Sequence, residues 1–187
     1  MKITREKPEI LRFIYRQESG DPHYGSCLWA IFDIDPGRGM LNIQSDCGNY
    51  AYRWPERGGG FLELLCGLSE DYLIGKLCGK PQEFDEERTI ASISEYLNDM
   101  EISDGKKRKS IENLKTTLSG YTLVDAPEVA QFIIDQWNDE EGLEIDCAWE
   151  LVANKYGAWQ ERIVDIFIEH IAPEIKKTVK EGVPDNE

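Results

Sequence analysis

The sequence contains no CxxC pair, no apolar run approaching the length of a membrane span, no GxxxxGK[ST] or GxGxxG loop, and only two histidines, His23 and His170. Each shortage removes a class of function. A structural zinc site usually takes two ligands from one tight turn, and here the nearest cysteines, Cys66 and Cys78, are twelve residues apart. No metal and no cofactor are therefore expected. The five cysteines, Cys27, Cys47, Cys66, Cys78 and Cys147, are odd in number and scattered, as reduced thiols of a cytosol-like compartment are. Without an apolar run of about eighteen residues, neither a signal peptide nor a transmembrane helix is expected, and no membrane partner. RGGG (57–60) and PGRG (36–39) lack the spacing of a phosphate cradle and are expected to be plain turns. There is no internal repeat and no low-complexity tract.

Cations are also scarce. The chain has 21 Lys and Arg against 36 Asp and Glu, a net charge of −15. Residues 1–60 balance at 8 against 8, whereas residues 61–187 hold 13 against 28. The window 119–154 has no Lys or Arg, yet carries Asp125, Glu128, Asp135, Asp139, Glu140, Glu141, Glu144, Asp146 and Glu150. Such a surface repels a nucleic acid backbone and attracts a basic protein. Direct nucleic acid binding is therefore not expected. KKRK (106–109) is the one concentrated basic run, and at a helix start its charge opposes the dipole. Pairing with nearby acids, or a surface contact, would account for it.

What is present is a globule. At 187 residues with 41% hydrophobic content and five Trp, the chain is expected to form a single domain over 1–187, burying roughly 70% of its unfolded surface. Residues 1–57 are expected to be mainly β and 61–182 mainly α. CLWAIFDID (27–35) alternates Leu28, Ala30, Phe32 and Ile34 against Trp29, Ile31, Asp33 and Asp35. MLNIQS (40–45) and NYAYRW (49–54) follow across short turns, so the three form an antiparallel meander. PEILRFIYRQ (8–17) suits a strand or a helix equally. Beyond RGGG the period becomes helical, with helices expected at about 61–67, after the Ser69 cap, over 85–100, around Ile111–Leu118, after Pro127, over about 145–156 and from Trp159 onward. Pro173 is expected to end the last helix or begin a final turn, and GVPDNE to be a frayed tail. The fold class is α+β: an N-terminal antiparallel β-meander packed against a C-terminal layer of about six helices.

Two sets of residues carry candidate chemistry. Trp137 directly precedes the NDEEG run, and an aromatic anchor rimmed by Asp139, Glu140, Glu141, Glu144 and Asp146 suits an Arg/Lys-rich partner; a core Trp at a helix end fits the same text. In the meander, Asp33 and Asp35 share a strand face and Asp46 and Cys47 occupy the next hairpin turn, where they would serve acid/base work or a hard cation, or simply line a wet sheet face. His23 is the nearest conceivable base for Cys47. Tyr50, Tyr52 and Trp54 are expected to form the seam against the helices, with a base-stacking platform or a protein anchor as alternatives. In SDCGNYAYRW (45–54), Gly48 and Asn49 tolerate positive φ, and the Asp46 carboxylate is expected to accept the turn's own N–H groups.

LNIQSDCGNYAYRW and the helical text FLELLCGLSEDYLIGKLCG resemble small uncharacterised proteins of phages and prophages, over about residues 26–79. No catalytic residue carries over. The resemblance implies the cytoplasm of a bacterial host, and relatives in function among anti-CRISPR and other anti-defence inhibitors, some of them DNA mimics. The leading expectation is accordingly an acidic interaction protein that binds a basic host protein, such as a CRISPR-Cas effector, and blocks it. The alternatives are a small cytosolic enzyme using the Asp and Cys residues of the meander loops, and a phage structural or regulatory protein.

Overall fold

A computed structural model describes residues 1, 3–5, 8–55, 60–122 and 126–181. The RGGG turn short of Gly60, Asp125 and the GVPDNE tail lie outside the described residues. The strands are β1 (Leu11–Arg16), β2 (Trp29–Asp35), β3 (Met40–Ser45), β4 (Gly48–Arg53), β5 (Glu83–Phe84) and β6 (Asn154–Lys155). The helices are α1 (Phe61–Cys66), α2 (Glu70–Cys78), α3 (Glu86–Asp99), α4 (Asp104–Ser119), α5 (Pro127–Glu141), α6 (Ala158–Ile166) and α7 (Ala172–Glu181), with a 3-10 turn at Ala148–Leu151. The class is α+β, as expected. Two compact units emerge: one combines Met1–Lys80 with Ala158–Glu187, and the other is Pro81–Gly157.

In the first unit β1 to β4 form an antiparallel sheet in chain order. Register places Phe13, Phe32, Ile43 and Tyr50 in one row across it and Leu11, Ile34, Leu41 and Tyr52 in the next. Phe32, Ile34 and Leu41 are fully buried, while Arg12, Ile14 and Arg16 of the alternate face are exposed. Pairing with β2 thus resolves the ambiguity of residues 8–17 in favour of a strand. Helices cover the apolar face. Phe167 meets Phe32 at 6.0 Å between ring centres, and Phe61 meets Trp54 at 5.7 Å. Burying each such ring contributes about 1.5–3 kcal/mol. Trp54 also takes Tyr52 edge-on at 4.6 Å and donates from Nε1 to the Tyr72 hydroxyl, so the aromatic run is the seam. Arg53, on the other face, donates from Nε to the Arg38 carbonyl and not to Asp33 or Asp46.

Pro173 does not end the last helix. Its nitrogen has no proton to give, and the backbone responds one turn earlier: Phe167–Ile171 is π-helical, with the Ala172 N–H bonded to the Phe167 carbonyl. That wider spacing lets α6 run on into α7.

The second unit has its own core. Asp85 and Ser103 cap α3 and α4 by accepting the Arg88 and Lys106 N–H groups, and Pro127 sits in the first turn of α5. Ile93, Leu97, Leu114, Leu118, Ile134 and Trp137 meet inside. The expected helix over 145–156 is absent. Cys147 adopts φ 52°, only the 3-10 turn follows, and Asn154–Lys155 pair with Glu83–Phe84. The spacing of Ala148, Leu151 and Val152 imitates a helical stripe, but long-range pairing overrides it. The buried Thr89 hydroxyl fixes the return by accepting the Ala153 N–H at 2.9 Å.

Candidate functional site

The acidic segment of the second unit is built by the end of α5. Gly142 takes the left-handed conformation at φ 57° and returns its N–H to Asn138 and Asp139, closing the helix. Leu143 and Ile145 then turn inward and are buried, so Glu144 and Asp146 between them are exposed. The buried Asn138 amide grips Ile145 twice, donating to its carbonyl at 3.1 Å and accepting its N–H at 3.0 Å. Glu144 and Cys147 both have positive φ, 57° and 52°, a strain of about 1–3 kcal/mol per residue that this grip and the two buried anchors must hold. Asp139, Glu140, Glu144 and Asp146 therefore leave an ordered scaffold with their carboxylates in water.

The neighbouring residues divide differently from what sequence proximity suggested. Trp137 is only 3% exposed, and its Nε1–H donates to the Ser110 carbonyl at 3.0 Å, so it is a core residue and no surface anchor. Its helical partners inward are Ala130, Ile133 and Ile134, whereas Val129 and Phe132 face outward, Phe132 at 63% exposure. The exposed aromatic beside the acids is Trp149, at 43%, followed by Glu150. Sequence inspection missed it because it falls in the segment taken for a helix.

Glu141 turns back on α4. It accepts from Ser110 Oγ at 2.7 Å and Asn113 Nδ2 at 2.6 Å. Those bonds, Asn113 first, hold its carboxyl below the usual Glu range against the opposing effect of burial, helped by Lys109 and Lys106. Of the KKRK run, Lys106 and Lys109 thus act on Glu141 through charge at a distance, while Lys106 Nζ and Arg108 Nε donate to the Gly142 and Asp104 carbonyls. Lys107 donates to the Asn98 carbonyl and, with Arg108, Lys115 and Ser94, lines an open groove between α3 and α4. Because the folded pKa of Glu141 lies below the unfolded one, the unfolded chain takes up its proton first as pH falls. The stabilisation is complete above the ordinary Glu value of about 4.3 and is lost as pH drops through the folded value. Urea titrations at descending pH should show Glu141→Gln with a shallower loss of stability across that acid window than the wild type.

The meander acids do not converge. Asp33 is held by Arg12 through Nε at 2.6 Å and Nη2 at 2.7 Å on the sheet's open face. Asp35 is 5% exposed and closes the PGRG turn, accepting the Arg38 N–H at 3.0 Å and Nη1 at 3.1 Å. Both belong to the end of β2, whereas Asp46 lies beside its start. The convergence of these acids that the sequence left open does not occur, and His23 belongs to no cluster of ligating side chains among the described residues.

Something else gathers at the β3–β4 turn. Asp46 accepts the Leu28 N–H at 2.9 Å and the Trp29 N–H at 3.4 Å, binding the turn to the start of β2. The turn's Cys47 N–H goes to Ser45 Oγ. Cys27, buried, donates its thiol to Asp46 Oδ1 at 3.3 Å, and Cys47, also buried, donates to the Ser26 carbonyl at 3.1 Å. The two sulfurs and a carboxylate oxygen lie within 4.8 Å of one another. Burial pushes both thiols up, Cys27 further through its bonds to Cys47 and Asp46. Desolvation acts upward on Asp46 too, but the accepted bonds from Leu28, Cys27 and Trp29 prevail and hold it below the usual Asp range. These are the described residues fit to hold a metal; protonated, they make a poor nucleophile.

Gly48 completes the turn at φ 119°, and a Cβ there would lie 2.8 Å from Tyr50 Oη, whose hydroxyl is bound to the Cys47 carbonyl. Gly48→Ala should lower the unfolding free energy by about 1–3 kcal/mol, seen as an earlier urea midpoint.

Among the described residues, no helix is long and apolar enough to cross a membrane. The model of one family, Phage_phiTE_072, described as a phage family, matches residues 1–177. No curated protein and no solved structure matches the chain.

Proposed function

The chain belongs to this phage family, and from that premise we propose that it is an interaction protein whose acidic segment binds a basic surface of a host nucleic-acid-handling or defence protein and blocks it. The observation that carries the reading is the exposure of Asp139, Glu140, Glu144 and Asp146 on a hydrogen-bonded scaffold, within a window that holds no Lys or Arg. The Pro81–Gly157 unit holds 7 Lys and Arg against 18 Asp and Glu, so its field is strongly negative.

Carboxylates on such a scaffold replace phosphates at an Arg/Lys site, and their fixed positions reduce the ordering cost of binding. Trp149 and Phe132, in place of Trp137, supply apolar contact. Electrostatics speeds the encounter, and the buried contacts set the lifetime. A CRISPR-Cas effector is the partner class we propose, in the host cytoplasm. The test is target-DNA binding by purified effectors in the presence of the protein. Loss of DNA binding supports the reading, and undiminished binding across a panel at saturating protein overturns it.

A further inference from the structure

Cys27 and Cys47 are twenty positions apart in the chain, and antiparallel pairing of β2 with β3 delivers them to one spot. Cys27 lies two residues before the start of β2 at Trp29, and Cys47 sits in the turn that leaves β3. Asp46 accepts the Cys27 thiol, and its carboxylate is held in place by the Leu28 and Trp29 N–H groups. The result is two sulfurs and one carboxylate oxygen, mutually within 4.8 Å, from three side chains whose backbone is already ordered.

We propose that Cys27, Cys47 and Asp46 bind a zinc-like divalent cation. Two sulfur ligands exclude calcium and magnesium, which take oxygen, and favour a borderline or soft ion. Asp46 is exposed, so the fourth position of a tetrahedral ion faces water, whereas both sulfurs are sheltered. The second carboxylate oxygen keeps its bond to the Leu28 N–H, an arrangement that aims the first at the ion. Beside this cluster the Ser26 hydroxyl is buried without a hydrogen-bond partner, an unused oxygen adjoining Cys27. Binding replaces two S–H bonds by two metal–sulfur bonds and releases two protons to solvent, so one divalent ion with two thiolates and a carboxylate carries a charge of −1. Arg162, close enough to favour the Cys47 thiolate, offsets that charge.

The requirement to displace protons from thiols that burial holds protonated makes the affinity rise with pH. A spacing search misses the site because neither cysteine has a neighbouring ligand cysteine in the sequence; only the strand pairing supplies one.

The test is titration of the full chain, reduced and stripped of metal, with Co²⁺ as an optical substitute for zinc. The wild type should develop a thiolate-to-cobalt charge-transfer band and the visible absorption of a tetrahedral ion, at one equivalent, both removed by Zn²⁺. Cys27→Ser and Cys47→Ser should each abolish the charge-transfer band of a two-sulfur site, and Asp46→Asn should weaken Co²⁺ binding by at least about tenfold. Cys147→Ser, at an exposed thiol, should leave the spectrum unchanged. The wild-type titration decides even where a variant does not fold. Absence of a thiolate band in the reduced wild type at neutral and mildly alkaline pH overturns the proposal, as does a band that survives in the Cys27→Ser/Cys47→Ser double variant.

Discussion

Trp137→Ala is expected to lower the stability of the Pro81–Gly157 unit by about 3–5 kcal/mol, the cost of emptying a buried indole site. The side chain is 3% exposed among Ala130, Ile133 and Ile134 on its own helix and Leu114 and Leu118 in the same cluster. Its removal also takes away the indole bond to the Ser110 carbonyl within α4, and the Ser110 hydroxyl in turn donates to Glu141. Loss of the indole therefore loosens the α4–α5 contact at a point where three side chains depend on one another. Trp137→Phe keeps most of the packing and gives up the N–H bond, costing about 1 kcal/mol for that bond beyond any change in volume. Urea unfolding followed by far-ultraviolet circular dichroism separates the two variants. An unchanged midpoint in Trp137→Ala, with binding lost, would instead make Trp137 a contact residue.

Neutralising the acidic segment is expected to do the opposite: leave the fold and remove the binding. Asp139→Asn, Glu140→Gln, Glu144→Gln and Asp146→Asn change four exposed side chains and keep their volumes. None of the four ends in a side-chain bond comparable with that of Glu141, so each should alter stability by no more than about 0.5 kcal/mol. The combined variant carries four fewer negative charges than the wild type's −15. Steering of a basic partner should weaken accordingly, with the association rate falling by about 10- to 1000-fold at low ionic strength. Stopped-flow or surface-based kinetics read that rate directly. Glu141→Gln is the internal comparison, because its carboxylate is spent on Ser110 and Asn113 and its loss should cost stability before it costs association.

The sheet was legible in the sequence because one face is buried and the other wet. Ala30, Phe32 and Ile34, then Leu41 and Ile43, alternate as a one-sided strand must, and PGRG marks the turn between them. The Ser69 cap and the Gly79 stop of α2 were legible for a similarly local reason. Where local and non-local forces disagreed, the text misled. Residues 145–156 carry a helical apolar spacing, but Cys147 at positive φ and the pairing of β6 with β5 determine the path. Pro173 fitted either the end of the last helix or the start of a final turn; it lies in the first turn of α7, and a π-helical segment ahead of it keeps the helix continuous.

The candidate sites divide along the same line. The charge asymmetry and the acids Asp139, Glu140, Glu144 and Asp146 could be found by counting, since exposure of carboxylates is the default in water. Trp137 was ambiguous by position, and its helical phase, one turn from Ile133 and two from Ala130, places it inward. Whether Asp46 approaches Asp33 and Asp35 could not be read from the sequence, and Asp46 adjoins the opposite end of β2 from the other two. The Cys27 to Cys47 approach has no local signature, because it is a product of strand register.

The central claim is that the acidic segment competes for a basic nucleic-acid-binding surface, and target-DNA binding by CRISPR-Cas effectors tests it most directly. The wild type should abolish DNA binding at low salt, less completely at moderate salt, and the four-amide variant should leave it nearly intact while remaining folded. Undiminished DNA binding at saturating wild-type protein across the panel, or equal inhibition by the wild type and the four-amide variant at both salt concentrations, would contradict it.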